Sequence, residues 1–159
     1  MVKILFVCSG NICRSPTAEG VFQKFVSDRA LSALISVDSA GIGNWHVNKP
    51  PDHRSQFAAL ARGIDLSKQK ARQFKYEDFD FFDYILAMDQ SHLDYLKLHC
   101  PADCKLHMKL FLDYVPSIEL TEIPDPYYGD PNGFEVVLDL VEAASKGLME
   151  HIINTYSLG

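Results

Sequence analysis

The chain lacks the usual features of a nucleic-acid-binding, membrane-spanning or secreted protein. Acidic side chains outnumber basic ones by 21 to 15, for a net charge of −6, and no basic tract is present that could bind a polyanion. No apolar run is long enough for a signal peptide or a membrane span, and strand-like sequence begins at residue 3. We therefore expect a cytoplasmic protein with no nucleic-acid partner and no membrane span.

Cysteine is scarce, and signs of a second domain are absent from the sequence. The four cysteines come without a secretory signal, which indicates a reducing compartment. The 159 residues contain no low-complexity stretch, internal repeat or linker, and 47% of them are hydrophobic, which is enough for one core. The sequence thus predicts a single domain over residues 1–159.

Strand and helix patterns alternate along the chain. Strands are predicted at residues 3–7, 34–39, 84–87 and 105–111. Such a β-α-β series favours an α/β fold with a small four-stranded parallel sheet and helices on both faces. Ligands of such sheets bind beyond the carboxyl ends of the strands, where Cys8 and Asp89 would both emerge.

Four helices are predicted from apolar spacing. The first helix presents Val21, Phe22 and Phe25 on one face. The second helix, capped by Asp52 and ended by Gly63, is expected to bury Phe57, Leu60, Ala61 and Ile64. The third helix covers residues 90–99, and a long terminal helix covers residues 134–152.

The most informative segment lies between the first strand and the first helix. Residues 7–16 read V-C-S-G-N-I-C-R-S-P, in which Ser15 offers a helix N-cap with Pro16 at the first helical position. Loop amides and the positive end of the helix dipole then converge on one point and stabilise an anion such as phosphate. The same potential favours the thiolate of Cys8, and Arg14 adds a planar fork for two phosphate oxygens.

These residues predict phosphoryl transfer through cysteine. A thiolate beneath a bound phosphate monoester can attack phosphorus in line and give a phosphocysteine, which water then hydrolyses. Asp125, between two prolines in the downstream run P-D-P-Y-Y-G-D, could protonate the leaving group and then activate the water. The predicted catalytic residues are therefore Cys8, Arg14 and Asp125.

Several motifs, spread over nearly the whole chain, resemble the low-molecular-weight protein tyrosine phosphatase family. They are C-S-G-N-I-C-R-S at residues 8–15, D-S-A-G at 38–41, Trp45, A-M-D at 87–89 and D-P-Y-Y-G at 125–129, in the family's order. The resemblance implies metal-independent hydrolysis of phosphotyrosine in proteins or peptides, or of small aryl phosphates. It also implies no cofactor and inhibition by inorganic phosphate or vanadate.

Supporting roles are expected for the rest of the loop. Ser9, Gly10, Asn11, Ile12 and Cys13 would surround the phosphate together with Ser15, whose hydroxyl could also bind the Cys8 sulfur. Asn11 tolerates a left-handed backbone, and the resemblance ties it to Ser15 and Ser39. Where the resemblance implies a histidine in this network, the chain has Gln69.

Aromatic residues are expected to form a slot above the loop. Trp45, Tyr127 and Tyr128, with Ile12 as an apolar neighbour, could hold a planar ring at a depth that favours aryl phosphates over phosphoserine. Alternatively, these aromatics could simply cover the edges of the core. A branch of the family that acts on phosphoarginine carries threonine at the position of Ile12 and lacks the paired tyrosines, so phosphotyrosine is the expected substrate.

The remaining cysteines leave other interpretations open. Cys13 could trap oxidised Cys8 as a disulfide, or it could be a buried structural thiol. His99, Cys100, Cys104 and His107 have metal-like spacing, although we expect no metal. The sequence also leaves two other functions open. An arsenate reductase on the same scaffold would need a relay of cysteines from the loop, for which Cys100 and Cys104 are the only candidates. A non-catalytic phosphoprotein-binding module is disfavoured because the nucleophile, the arginine and the acid are all present.

A basic stretch at Lys68, Lys70 and Arg72 remains. It is interpreted as solvated surface, or as a patch that steers acidic phosphopeptides.

Overall fold

A four-stranded parallel sheet forms the centre of the molecule. The computed structural model describes residues 1–104 and 106–159. The strands are β1 (Val2–Cys8), β2 (Ile35–Gly41), β3 (Tyr84–Ala87) and β4 (His107–Leu110), in the spatial order β2-β1-β3-β4. The predicted fold class is therefore confirmed. The fourth strand is shorter than expected: residue 105 lies outside the described residues, and Phe111 opens a 3₁₀ turn.

Helices cover both faces of this sheet. They are α1 (Arg14–Asp28), α2 (His53–Leu60), α3 (Asp78–Phe81), α4 (Gln90–His99) and α5 (Gly133–Tyr156). Alternate residues of β1 point into two cores, one shared with α1 and α5 and the other with α3 and α4. Burial on both faces explains why β1 reads as a continuous apolar run. None of the helices in the described part of the chain has the length and apolar content needed to cross a membrane.

The prediction for the second helix is wrong in its buried face. Phe57 is 80% exposed, and Leu60 and Ala61 are exposed as well, whereas the helix buries Ser55, Ala58 and Ala59. A helix that approaches its neighbours closely does so through small side chains, so the alanine face packs inward and the large residues remain outside.

The second helix also ends earlier than predicted. Its last residue is Leu60, and residues 61–63 form a turn in which Gly63 adopts a positive φ of 79°. Ile64 is buried, but it lies beyond the helix. The short helix α3 was not predicted, because four residues carry too little periodicity to be recognised.

The order of the strands determines where a ligand can bind. The connection from β1 leads to β2 on one side, and the next strand, β3, lies on the other side of β1. At such a reversal the loops after neighbouring strands diverge and leave a crevice at their carboxyl ends. Cys8 ends β1 and Asp89 follows β3 by two residues, so both lie at this crevice, as the sequence predicts.

Candidate active site

Cys8 is buried at the end of β1, where two groups approach its sulfur. Ser15 Oγ lies 2.9 Å from Cys8 Sγ, and the backbone N–H of Asn11 donates to the same sulfur at 3.3 Å. The expected contact with Ser15 is thus confirmed, but its capping role is wrong. Helix α1 begins at Arg14 with Cys13 as the N-cap residue, and no side chain caps it. Ser15, in the first turn, faces the loop instead because its hydroxyl is taken up by Cys8 and Asn11.

Through its side chain, Asn11 anchors residues 8–14, the predicted phosphate loop, to the surrounding elements. Its φ of 59° is left-handed, as predicted, and its amide donates to Ser15 Oγ at 2.8 Å and Ser39 Oγ at 2.9 Å. Its carbonyl oxygen accepts the backbone N–H of Arg72. Ser39 in turn donates to Glu19, whose pKa is raised to about 8 by burial and a neighbouring carboxylate. The network therefore connects the loop to β2, to α1 and to the segment before α3.

Gln69 does not take the place of the expected histidine. Its side-chain N–H donates to the carbonyl of Pro16 at 3.0 Å, and its buried oxygen finds no hydrogen-bond partner in the part of the chain that the structure describes. The Asn11 oxygen instead binds the Arg72 backbone. The side-chain amide of Gln69 therefore stabilises the start of α1.

The carbonyl groups of the loop bind the surrounding backbone. Those of Cys8, Ser9 and Ile12 accept hydrogen bonds of 2.8–3.0 Å from the N–H groups of residues 42, 43 and 52. Gly41 lies so close that a Cβ there would be 2.9 Å from the backbone of Gly10. The glycine at the end of β2 is therefore required for this approach.

Arg14 reaches across the crevice to two hydrogen-bond acceptors and to a more distant carboxylate. Its Nη1 donates to Asp89 at 2.8 Å and to the carbonyl of Ile123 at 3.0 Å, and its Nη2 lies 3.6 Å from Asp125 Oδ2. Only 4% of the side chain is exposed. Burial alone would oppose ionisation of Asp89, but hydrogen bonds from Ser91 and Arg14 lower its pKa. Asp89 and the Ile123 carbonyl thus fix the guanidinium at the crevice.

Asp89 and His92 form a capping box at the start of α4, which the sequence analysis missed. Asp89 Oδ1 accepts the backbone N–H of His92, and His92 Nδ1 accepts that of Asp89. Burial and the charge of Arg14 lower the pKa of His92 to about 4, so the ring is neutral and Nε2 carries its proton. This N–H donates to Ser9 Oγ at 2.8 Å. One capping box therefore supports both ends of the phosphate loop.

Asp125 lies across from Cys8 on the loop that leads to α5. One carboxylate oxygen accepts the backbone N–H of Tyr127 at 3.0 Å, and the other is the atom near Arg14. Half of the carboxylate side chain is exposed, so it is open to a bound molecule. The rings of Tyr127 and Tyr128 meet edge to face with centroids 4.7 Å apart.

A cavity of about 410 Å³ brings most of the predicted residues together. It is lined by Cys8, Ser9, Gly10, Ile12, Cys13, Arg14, Trp45, His46, Asp125, Tyr127 and Tyr128. Asn11, Ser15 and Ser39 are not among the lining residues, and the hydrogen bonds between their side chains support the loop. The alternative role of the aromatics as covers of the core is wrong for Trp45 and Tyr128, which are 66% and 92% exposed. His46 is a further lining residue that the sequence analysis missed.

Cys13 lines this cavity, and its thiol is protonated at neutral pH. Burial, followed by the charge of Asp52, raises its pKa to about 12, and the charge of Cys8 adds to the same effect. The carbonyl of Cys13 accepts the hydroxyl of Thr17, which steadies the first turn of α1.

The basic stretch is only partly solvated. Lys68 and Lys70 are exposed, whereas Arg72 forms ion pairs of 3.0 Å with Asp38 and with the buried Asp78. The interpretation as solvated surface is therefore wrong for Arg72, whose charge is paired with these two carboxylates.

Cys100 and Cys104 lie apart from the cavity. They follow α4 and precede β4, at the end of the sheet opposite to Cys8, and neither lines the cavity. This position does not suit the relay that an arsenate reductase needs. No group of three or more potential metal ligands occurs among residues 1–104 and 106–159.

Comparisons with known proteins point in one direction. A family model described as low molecular weight phosphotyrosine protein phosphatase matches residues 3–157. The low molecular weight protein-tyrosine-phosphatase YfkJ of Bacillus subtilis is 40% identical over 152 residues, which cover 96% of each chain. A protein tyrosine phosphatase structure from Entamoeba histolytica matches with a TM-score of 0.93 and 36% identity over 98% of this chain and 99% of that one.

One structural relative carries a different substrate in its name. The Drosophila arginine phosphatase DARP matches with a TM-score of 0.89 and 32% identity, over 95% of this chain and 98% of that one. Similarity of fold alone therefore does not choose between the two phosphorylated residues.

Proposed function

This chain belongs to the family of low molecular weight phosphotyrosine protein phosphatases, cysteine-based enzymes, and from this premise we propose that it hydrolyses aryl phosphate monoesters, phosphotyrosine above all, through a phosphocysteine on Cys8. The observation that carries the proposal is the convergence of Cys8, Arg14 and Asp125 on one cavity. The proposed substrates are phosphotyrosine in proteins or peptides and small aryl phosphates, with inorganic phosphate and vanadate as inhibitors.

The first step transfers the phosphoryl group to sulfur. Cys8 Sγ attacks phosphorus, the bond from phosphorus to the aryl oxygen breaks, and the electron pair of that bond goes to the leaving oxygen. Asp125 gives its proton to this oxygen, so that a neutral phenol departs. The amides of the phosphate loop and the positive end of α1 stabilise the charge on the phosphoryl oxygens, with Arg14 held beside them by Asp89.

The second step releases phosphate from sulfur. Asp125, now a carboxylate, takes a proton from water while the water oxygen attacks phosphorus, and the bond from phosphorus to sulfur breaks. The sulfur leaves as a thiolate, which receives hydrogen bonds from Ser15 and from the Asn11 backbone. The free enzyme is thereby regenerated.

The upper part of the cavity supports an aromatic substrate. Ile12 offers only apolar contact, and Trp45 and Tyr127 stand on the rim where they can stack against a phenyl ring. The guanidinium of phosphoarginine would leave polar N–H groups against the apolar side chain of Ile12. Phosphoserine has no ring that Trp45 and Tyr127 could contact, so it would lose this part of the binding.

Matched peptides that differ only in the phosphorylated residue test this function. We expect kcat/KM for phosphotyrosine to exceed that for phosphoarginine by at least about tenfold, because one bulky apolar contact discriminates by roughly 1–3 kcal/mol. Phosphoserine should be hydrolysed far more slowly than phosphotyrosine. The measurement is release of inorganic phosphate from each peptide.

The position of Ile12 supplies a control for the same assay. Ile12→Thr introduces a hydroxyl at the position that distinguishes the phosphoarginine branch and should narrow the preference for phosphotyrosine. A wild-type enzyme that prefers phosphoarginine would contradict the role of Ile12 and of the aromatic slot together.

A redox role for Cys13 is proposed for the same loop. Its high pKa keeps it protonated and slow to react with peroxide, so peroxide would oxidise Cys8 first. Cys8 sulfenic acid can then condense with the Cys13 thiol, which forms the disulfide and releases water. The disulfide would protect Cys8 from irreversible oxidation.

Recovery from peroxide measures this protection. Dithiothreitol is expected to restore most activity to the wild type after peroxide treatment and much less to Cys13→Ser, because the variant cannot form the disulfide. Cys100→Ser serves as a control in which recovery should match the wild type. Equal recovery in Cys13→Ser would leave Cys13 as a structural thiol.

A further inference from the structure

Arg54, in the first turn of α2, connects two segments that meet at the active site. Its Nε and Nη2 bind the two oxygens of Asp52 at 3.0 and 2.9 Å, and its Nη1 donates to the carbonyl of Tyr127 at 3.1 Å. The guanidinium also lies over the rings of Tyr127, at 5.2 Å, and Phe134, at 4.7 Å. The charge of the guanidinium is therefore paired with Asp52, and its planar face contacts two aromatic rings.

The Asp52 end of this connection is fixed to the phosphate loop. The backbone N–H of Asp52 donates to the carbonyl of Ile12 at 2.8 Å, and the Asp52 carboxylate caps α2 through the Arg54 N–H. The hydrogen bonds from Arg54 lower the pKa of Asp52, so the carboxylate is ionised at neutral pH. Arg54 is thus held at a defined distance from the loop that carries the nucleophile.

The other end leads to Asp125 within two residues. Tyr127 gives its carbonyl to Arg54 and its N–H to Asp125 Oδ1. In the described part of the chain, Arg14 and Arg54 are the two side chains from elsewhere that bind residues 124–132 by hydrogen bond or ion pair. The Arg14 contact is long, at 3.6 Å, and a bound phosphate would compete for that guanidinium.

We propose that Arg54 is a positioning residue for Asp125: it ties the segment that carries the acid to the loop that carries Cys8, and so sets the reach of the Asp125 carboxyl to the leaving oxygen. The proposal rests on the proposed function, because it acts through Asp125. Arg54 does not line the cavity, and each of its three guanidinium nitrogens already donates a hydrogen bond to Asp52 or Tyr127. It therefore acts on proton transfer and leaves phosphate binding unchanged.

Arginine is required at this position for a geometric reason. Only a planar fork can bind both oxygens of Asp52, donate to a carbonyl from a third nitrogen and stack on two rings at once. Lysine could donate to the Tyr127 carbonyl but would lose the fork. An exposed ion pair stabilises a fold little, so the main effect of substitution falls on the position of the tethered segment.

A series of aryl phosphates with leaving groups of different acidity tests the proposal. In Arg54→Met, kcat/KM for phenyl phosphate, whose leaving oxygen needs a proton, should fall about tenfold, since small misplacements of a catalytic group are costly. The loss should be less than about twofold for 2,4-dinitrophenyl phosphate, whose anion leaves without a proton. Arg54→Lys should lie between, and inhibition by inorganic phosphate should stay within about twofold of the wild type.

Two further variants make the result specific. Arg62→Met removes ion pairs between the turn after α2 and α5 without touching the Asp125 segment, so its leaving-group dependence should match the wild type. Adding Arg54→Met to Asp125→Asn should lower kcat/KM for phenyl phosphate less than twofold further, because the acid that Arg54 positions is already absent.

The outcomes separate the two claims. If Asp125→Asn shows the leaving-group dependence and Arg54→Met shows either no loss or an equal loss for every leaving group, the role of Arg54 is wrong and the proposed acid stands. Full additivity of the two substitutions would likewise overturn the role of Arg54. If Asp125→Asn itself loses activity equally for every leaving group, the acid assignment fails, and the role of Arg54 fails with it.

Discussion

Cys8→Ser is expected to lower kcat/KM for aryl phosphates by more than about a thousandfold, because a serine hydroxyl is not ionised near neutral pH and is a far weaker nucleophile. Binding of inorganic phosphate should persist within a few fold, since the loop amides and Arg14 remain in place. Turnover of p-nitrophenyl phosphate and protection of the variant by phosphate against thermal unfolding measure the two effects.

A matched substitution separates chemistry from folding. Cys100 lies at the end of α4, away from the cavity, so Cys100→Ser should retain near wild-type turnover. Residual activity of Cys8→Ser above about one part in a thousand of the wild type would contradict covalent catalysis by this residue. If turnover is lost and binding is kept, the same variant can capture phosphotyrosine proteins and so identify a physiological substrate.

The parts of the site that are contiguous in the chain could be predicted from the sequence. The strand, the loop and the helix of the proposed phosphate site are adjacent within residues 2–28, so local propensity and the spacing of Cys8 and Arg14 were sufficient to predict this arrangement. The left-handed backbone of Asn11 follows from the same local reasoning. Asp125, more than a hundred residues away, was found from its chemistry and its setting between prolines.

Errors arose where one pattern fits two physical solutions. Phe57 and Leu60 have the spacing of a buried helical face, but the neighbouring alanines let α2 pack more closely and were buried instead. A serine before a proline is equally compatible with a helix N-cap and with a contact to the cysteine sulfur. In the structure the Ser15 hydroxyl binds Cys8 and Asn11 and does not cap α1. The spacing of residues in the sequence does not show how closely α2 packs or which partners the Ser15 hydroxyl binds.

The contacts that the sequence analysis missed join residues far apart in the chain. Arg14 binds Asp89, which is 75 positions away, and Arg54 reaches Tyr127 over 73 positions. A capping box normally carries glutamate or glutamine at its third position, so the histidine at position 92 gave no recognisable signal. The contact between Arg14 and Asp89 becomes visible only when the sheet order places the ends of β1 and β3 side by side.

Asp125→Asn is expected to lower kcat/KM for phenyl or tyrosyl phosphate by about a hundredfold or more, since general acid catalysis contributes roughly 10²- to 10⁴-fold and the amide has no proton of suitable acidity to give. The amide oxygen can still accept the N–H of Tyr127, so the shape of the segment is preserved and the loss is chemical. For 2,4-dinitrophenyl phosphate the loss should be much smaller, because that leaving group departs as a stable anion.

Asp130→Asn is the control for Asp125→Asn, because Asp130 belongs to the same segment, accepts a backbone N–H from Asn132 in the same manner and does not line the cavity. Its kcat/KM should stay within about twofold of the wild type for every leaving group, in keeping with an exposed side chain away from the reacting atoms. A hundredfold loss in Asp125→Asn that is the same for phenyl and 2,4-dinitrophenyl phosphate would instead mean that the carboxylate serves the attack on phosphorus or the binding of substrate. In that case the proton for the leaving oxygen must come from another group that lines the cavity, such as His46 or Tyr127.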